Sequence, residues 1–188
     1  MQANRFEVEG PVLLTPKAFA DDRGAFSETY SKRAFAEFLG ERDFVQDNQS
    51  LSRRKGTIRG LHFQLPPAAQ AKLVRVIRGA ILDVAVDLRP HSPTYKAHVA
   101  VELSAANRAQ LLVPAGFAHG FCTLEDDTEV IYKVDAYYSA EHDRGIFWND
   151  PDLGLAWPVD PEAAVLSEKD ARAPRLSEIA PPFEGWGK

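Results

Sequence analysis

Short runs of β-branched and aromatic residues, cut by turn-forming residues about every 8–12 positions, dominate this sequence and constrain its fold more than any other feature. Strands are expected over 26–30, 44–52, 57–63, 73–78, 80–88, 95–102, 109–113, 118–123, 128–135 and 145–148. The breakers between them include Arg54-Lys55-Gly56, Pro66-Pro67, Pro90-His91-Ser92-Pro93 and Glu125-Asp126-Asp127. This pattern predicts an antiparallel sandwich or barrel. One helix stands out: Ser31 can cap it, Phe35, Phe38 and Leu39 form its apolar stripe, and Gly40 can end it. A second, weaker helix is expected near 167–171.

The chain has 188 residues, enough for one domain over 1–188 and little more. Its Pro-rich end, about 173–188, is expected to pack loosely. With 27 acidic against 22 basic residues the net charge is −5. An acidic chain with no basic face is a poor nucleic-acid binder, because that binding depends on neutralising phosphates. Cys122 is the only cysteine, which excludes an intramolecular disulfide framework and a cysteine-built zinc site. No apolar run approaches the roughly 18 residues of a membrane span. The opening MQANRFEVEG lacks a signal-peptide pattern, so a cytoplasmic protein is expected. The segments 6–8 and 12–14 read as edge strands, and unpaired edges are commonly covered by a partner, so a homodimer is expected.

Strand alternation says which side chains share a face. Within 80–88, Leu82, Val84, Val86 and Leu88 point one way while Ile81, Asp83, Ala85 and Asp87 point the other. Taken alone, Asp83 and Asp87 read as facing water on a half-exposed sheet. The alternative is a barrel whose interior holds a ligand. Val130, Tyr132 and Val134 likewise share a face.

Three segments carry chemistry: Arg59-Gly60-Leu61-His62-Phe63-Gln64 with Lys72 soon after, Val113-Pro114-Ala115-Gly116-Phe117-Ala118-His119-Gly120-Phe121, and Tyr132-Lys133 followed by Tyr137-Tyr138. A glycine beside a histidine in a strand allows close ligand approach or a bulge. A Pro-x-Gly turn leading into a histidine resembles the way many double-stranded β-helix (cupin) barrels present a ligand. Metal-binding cupins pair two histidines one residue apart with a later glutamate. Here the pair is His62 and Gln64, and the stretch where the carboxylate belongs reads Pro66-Pro67-Ala68-Ala69-Gln70-Ala71-Lys72. Two histidines fall short of the three or four donors a transition metal wants, and a nearby ammonium repels the ion, so no metal is assigned. A pocket of His, Lys, Arg and Tyr suits proton transfer beside a carbonyl instead: histidine as base, a cation for the oxyanion, tyrosine as acid. Taken singly, His62 and Tyr132 also read as satisfied core residues, and Lys72 and Arg59 as surface charges.

The blocks Phe19-Ala20-Asp21-Asp22-Arg23-Gly24-Ala25-Phe26-Ser27-Glu28, Val45-Gln46-Asp47-Asn48, Arg59 to Gln64, Pro114 to Phe121, Tyr132-Lys133, Tyr137-Tyr138-Ser139, Trp148-Asn149-Asp150, Trp157-Pro158 and Leu166-Ser167-Glu168-Lys169-Asp170 together resemble the dTDP-4-dehydrorhamnose 3,5-epimerase family, in order and over about residues 5–175. The resemblance implies an all-β, cupin-type jelly-roll barrel with one or two short peripheral helices. It also implies a cofactor-free epimerase of dTDP-rhamnose biosynthesis that works as a dimer. It assigns His62 as base paired with Asp170, Tyr132 as acid and Lys72 beside the enolate oxygen. Arg59 and His119 would contact phosphate and sugar. Arg23, Glu28, Gln46, Asp47 and Asn48 would contact the nucleotide, Tyr138 would stack on the thymine, and Asp143 and Lys169 would join the substrate site. Asp143 stands where the family often has Glu. Asp83 would support the site from behind.

The chemistry is consistent with these roles. A 4-keto sugar acidifies the hydrogens on carbons 3 and 5, and no hydride moves. The chain accordingly needs no nicotinamide and has no Gly-x-Gly-x-x-Gly. The implied reaction converts dTDP-4-dehydro-6-deoxy-D-glucose to dTDP-4-dehydro-L-rhamnose. An epimerase inverting only carbon 3 or only carbon 5, a metal-dependent cupin enzyme and a non-catalytic sugar-binding cupin are the alternatives.

Overall fold

The computed structural model describes residues 1–40 and 42–185, and for Leu39 only the backbone. Along them run β1 (Gln2–Arg5), β2 (Val12–Thr15), β3 (Ala18–Asp21), β4 (Gly24–Ser27), α1 (Lys32–Leu39), β5 (Gln46–Ser52), β6 (Ile58–Gln64), β7 (Lys72–Arg78), β8 (Ala80–Asp87), β9 (His98–Ser104), β10 (Gln110–Val113), β11 (Phe117–Thr123), β12 (Thr128–Val134), β13 (Asp143–Gly145) and α2 (Glu168–Ala171). A six-stranded sheet ordered β1-β2-β10-β7-β12-β5 packs on a five-stranded sheet ordered β13-β6-β11-β8-β9, while β3 and β4 form a separate hairpin. Every strand pair is antiparallel, so each sheet alternates between an inner and an outer face. The inner faces close over one core: Val74, Val76, Leu111, Val113 and Val130 from the larger sheet meet Ile81, Ala85, Leu103, Phe117 and Phe121 from the smaller. The fold is the expected all-β, jelly-roll type with two short helices. No described helix is long and apolar enough to cross a membrane.

Ser31 accepts from the Ala34 N–H at the start of α1, whose Phe35 is buried against Tyr30. The side chain of Leu39, expected in the same stripe, lies outside the described residues. The first edge strand is Gln2–Arg5 rather than 6–8. Val8 is buried and Phe6 packs beside it, so these residues cover the core and do not extend a strand. Of the run 145–148 only Gly145 is in a strand, while Ile146 and Trp148 are buried in the loop that follows.

Two expectations change where burial is concerned. Asp83 and Asp87, which read alone as water-facing, are both fully buried. Both faces of β8 are covered, one by the barrel core and the other by a cluster of Val84, Val86 and Leu88 with Leu153, Leu176 and Phe183. Asp87 is accommodated because it accepts from Arg89 Nε and Nη2, Ser92 Oγ and Thr94 Oγ1 at 2.5–2.8 Å. Burial pushes its carboxyl up, but those donors outweigh it and hold it below the usual range. The segment from 173 on, expected to pack loosely, buries Leu176 and Phe183; the Phe183 ring lies 5.8 Å from that of Phe63. Apolar anchors at that spacing outweigh its Pro-rich composition. Residues 186–188 lie outside the described residues.

The crossing of β6 and β11 shapes the site. His119 pairs with His62 and Phe121 with Arg59, so two residues of β6 oppose one of β11. This bulge cancels the alternation, so that Arg59 and His62 both face inward while Leu61 and Phe63 face the outer cluster. Gly60 sits in the bulge at φ +131°, where a Cβ would stand 2.5 Å from Gly120 Cα. Gly60→Ala should therefore cost about 3 kcal/mol or more, from backbone strain plus a clash with main chain. Urea denaturation measures this, and a loss below about 1 kcal/mol would refute the close-approach explanation.

Candidate active site

Inside the barrel lies a cavity of about 420 Å³, lined by Arg59, His62, Lys72, His119, Tyr132 and Asp170 among others. Its size suits a small ligand. His62 and His119 come from β6 and β11 of the smaller sheet, Lys72 and Tyr132 from β7 and β12 of the larger, so groups from two sheets converge. Asp170 arrives from outside the barrel. Residues 164–171 are tied to the start of β6 and the turn before it by Ile58 N–H to Val165 C=O and Val165 N–H to Gly56 C=O, both 3.0 Å. Ser167 then caps α2, and its Oγ takes the Asp170 N–H at 3.1 Å.

His62 Nε2 lies 2.6 Å from Asp170 Oδ1. Burial pushes the Asp170 carboxyl up, but hydrogen bonds from His62, Ser167 and the Gly60 N–H outweigh it and keep it ionised. An ionised carboxylate only accepts, so Nε2 carries the hydrogen and Nδ1 keeps the lone pair. His119 Nε2 lies 2.8 Å from Asp83 Oδ1, with both side chains buried. Burial pulls the His119 imidazole down, more than Asp83 raises it, leaving it neutral with Nδ1 as an acceptor.

Lys72 is buried, and its Nζ donates to the His62 carbonyl oxygen across the barrel at 3.3 Å. Burial brings its ammonium down to about 8; Asp83 and Asp143 oppose that and Lys169 adds to it. Asp83 Oδ2 is buried with no hydrogen-bond partner among the described residues, so its charge is met through space by this ammonium. Burial pushes the Tyr132 phenol up, Asp143 adds to this and Arg59 opposes it, so the hydroxyl is protonated at neutral pH.

Around the mouth, Arg59 is held by Ser52 Oγ at 3.0 Å and Leu51 C=O at 3.1 Å, and is exposed. Asp143 pairs with Lys169 and takes the Tyr138 hydroxyl at 3.3 Å. Gln46 donates to Asn48 Oδ1 at 2.8 Å and accepts the Tyr138 N–H at 3.2 Å, on the face of β5 that Tyr132 shares through the Tyr132–Asn48 pairing. Gln46, Asn48, Tyr138 and Asp143 do not line the cavity themselves but join it through this network, which ends at Lys169 on its wall, whereas Asp47, Arg23 and Glu28 stay apart from it. Asp47, one residue out of phase with Gln46 and Asn48, pairs with Lys133 at 2.8 Å and lines a separate cavity with Tyr30 and Arg75. Arg23 sits on the β3–β4 hairpin paired with Asp21, and Glu28 follows that hairpin, exposed to solvent.

Ser50, Ser52 and Phe121 join the site unforeseen. Alternation from Asn48 along β5 would have placed both serines. Gln64, the counterpart of a cupin metal ligand, instead ties loops: its amide donates to Ala68 and Tyr137 carbonyls and accepts the Ser139 N–H. Among the described residues no three His, Cys, Asp or Glu side chains converge as a metal site would require.

Residues 5–178 match the family described as dTDP-4-dehydrorhamnose 3,5-epimerase. The chain is 55% identical over 172 residues to the dTDP-4-dehydrorhamnose 3,5-epimerase of Sinorhizobium fredii, covering 92% of this chain and 88% of that one. Among solved structures it resembles the Bacillus anthracis dTDP-4-dehydrorhamnose 3,5-epimerase with TDP and pyrophosphate bound (TM-score 0.90, 52% identity, 93% of this chain and 99% of that one). It also resembles the Legionella pneumophila dTDP-6-deoxy-D-glucose-3,5-epimerase in complex with dTDP-4-keto-L-rhamnose (TM-score 0.90, 40% identity, 95% and 94%).

Proposed function

The chain belongs to the dTDP-4-dehydrorhamnose 3,5-epimerase family, and from that premise we propose that its barrel cavity inverts carbons 3 and 5 of dTDP-4-dehydro-6-deoxy-D-glucose through His62 and Tyr132. It is an isomerase, and the product of the double inversion is dTDP-4-dehydro-L-rhamnose. The observation that carries the mechanism is the convergence of a carboxylate-held imidazole and a protonated phenol, from opposite sheets, on one cavity that also holds a buried ammonium.

The 4-keto group acidifies the hydrogen on each neighbouring carbon. His62 Nδ1 removes it, and the imidazolium formed is stabilised by Asp170, as in other carboxylate-oriented histidines. Charge moves onto the keto oxygen, where the Lys72 ammonium meets it; one such donor is worth roughly 10²–10³ in rate. Tyr132 delivers its proton to the other face of the carbon, which inverts the centre. His119, neutral and held by Asp83, offers Nδ1 to a sugar hydroxyl. Arg59 and Lys169 at the mouth suit the pyrophosphate, and the exposed Tyr138 ring, steadied by Gln46 and Asp143, suits the thymine. A local positive patch of this kind is compatible with the net charge of −5.

The whole chain acts as one domain in a cytoplasmic homodimer. Supporting this, the β3–β4 hairpin carries Phe19 and Phe26 at 56% and 71% exposure, and β1 is an open edge. Such a hairpin would bring the partner's Arg23 and Glu28 to the cavity mouth that this chain's own copies do not reach.

Incubating the substrate in heavy water is expected to place solvent deuterium at both carbon 3 and carbon 5, read by NMR. Label at one carbon only would refute double epimerisation, and no label at either would refute enolate chemistry altogether.

A further inference from the structure

We propose that Lys72 returns a proton to the Tyr132 phenolate after each inversion, resetting acid and base within one binding event; this rests on the His62 and Tyr132 roles above. Inverting one carbon leaves an imidazolium at His62 and a phenolate at Tyr132. A second inversion at the other side of the carbonyl needs both reversed. Something must therefore move a proton from one wall of the cavity to the other.

Lys72 stands between those walls. In the β7–β12 register Tyr132 lies opposite Val74 and Val134 opposite Lys72. Lys72 and Tyr132 are thus diagonal neighbours on the inner face, a separation of roughly 7–8 Å at the backbone that two long side chains can close. The Lys72 Nζ is at the same time held by the His62 carbonyl oxygen, on the opposite sheet. Both side chains line the cavity that holds the base.

The energetics run in the right direction. Burial brings the ammonium down to about 8 and pushes the phenol up, so the ammonium is the stronger acid and gives its proton to the phenolate downhill. While the enolate exists, its oxygen holds the ammonium. Once carbon is reprotonated, the phenolate is the anion that remains. An O–H bond then forms at Tyr132 as an N–H bond of Lys72 breaks, leaving a neutral amine. The proton on the His62 Nδ1 passes to that amine, which restores the ammonium at Lys72 and the lone pair at His62. One proton has crossed from His62 to Tyr132, and nothing is oxidised or reduced.

Lys72→Arg separates this role from enolate stabilisation, since a guanidinium keeps the charge but holds its proton to pH values above about 12. The readout is the ratio of singly to doubly inverted sugar released at early times in heavy water, which is independent of the overall fall in rate. In Lys72→Arg, and in Lys72→Met as a variant of similar length without charge, the ratio is expected to rise at least tenfold over the unmodified enzyme. A ratio within about twofold of the unmodified enzyme in both variants would overturn the proposal and leave Lys72 acting on the enolate alone. Hydrogen exchange persisting at either carbon in His62→Asn would be a different failure, that of the base assignment, and would overturn the proposal with it.

Discussion

His62→Asn is expected to lower kcat by about 10³–10⁴ while KM shifts by less than about threefold, the pattern of a group that acts in the transition state. Asparagine is too short to reach Asp170 Oδ1, which His62 Nε2 now meets at 2.6 Å, but Asp170 keeps its hydrogen bonds from Ser167 and the Gly60 N–H and is not left unpaired. What asparagine lacks is the basic lone pair that the ionised Asp170 directs onto Nδ1. The His62 side chain is 30% exposed, and its loss opens no cavity in either apolar cluster around it. Circular dichroism should therefore report an unchanged fold. Steady-state kinetics on the dTDP-4-keto sugar, followed through the inverted product, checks the size. A kcat within tenfold of the unmodified enzyme would remove His62 from the role of base.

Tyr132→Phe is expected to cut the formation of inverted product by about 10²–10³. It should do so without a matching loss of proton removal, because His62, Asp170 and Lys72 are all intact in that variant. The two steps come apart experimentally. In heavy water the variant should exchange hydrogen at carbons 3 and 5 with the original configuration retained, as His62 takes a proton and returns a deuteron to the same face. The ring of phenylalanine fills the same space, and Tyr132 already packs as a ring beside the barrel core. Inversion at the rate of the unmodified enzyme would show that another group supplies the proton on the far face.

Much of this was legible from residue order. The period-two pattern and the turn residues place β2 and β4 to β12 within about three residues, while β1 and β3 fall outside the expected strands. The pattern misled at Asp83 and Asp87, where β8 is covered on both sides and each carboxylate is satisfied by partners distant in sequence or by a tight local turn: His119 for one, Arg89, Ser92 and Thr94 for the other. Nothing local in the sequence announces those partners. The tail departs from its composition for a similar reason: its proline content suggests slack chain, while Phe183 acts through a contact with Phe63 that only the fold supplies.

The candidate site shows the same division. Residue type and family resemblance single out His62, Lys72, His119, Tyr132 and Asp170, and all five line one cavity. That Arg59 joins them depends on the bulge at Gly60, for which the sequence offered only a glycine beside a histidine and two possible meanings. Asp47 departs because strict alternation along β5 turns it away from Gln46 and Asn48, a consequence available from periodicity once β5 is known to have one inner face. Arg23 lies on a hairpin outside both sheets and Glu28 just after it, and no pattern within one chain says what such a hairpin meets.

A crystal structure with dTDP-4-keto-L-rhamnose bound tests the central claim most directly. The account predicts one sugar ring between the two sheets, with His62 Nδ1 and Tyr132 Oη about 3–3.5 Å from opposite faces of the carbons beside the keto group. The Lys72 Nζ should lie within hydrogen-bond distance of the keto oxygen. A ring lying with both side chains on one face, or outside the barrel in contact with neither, would contradict it.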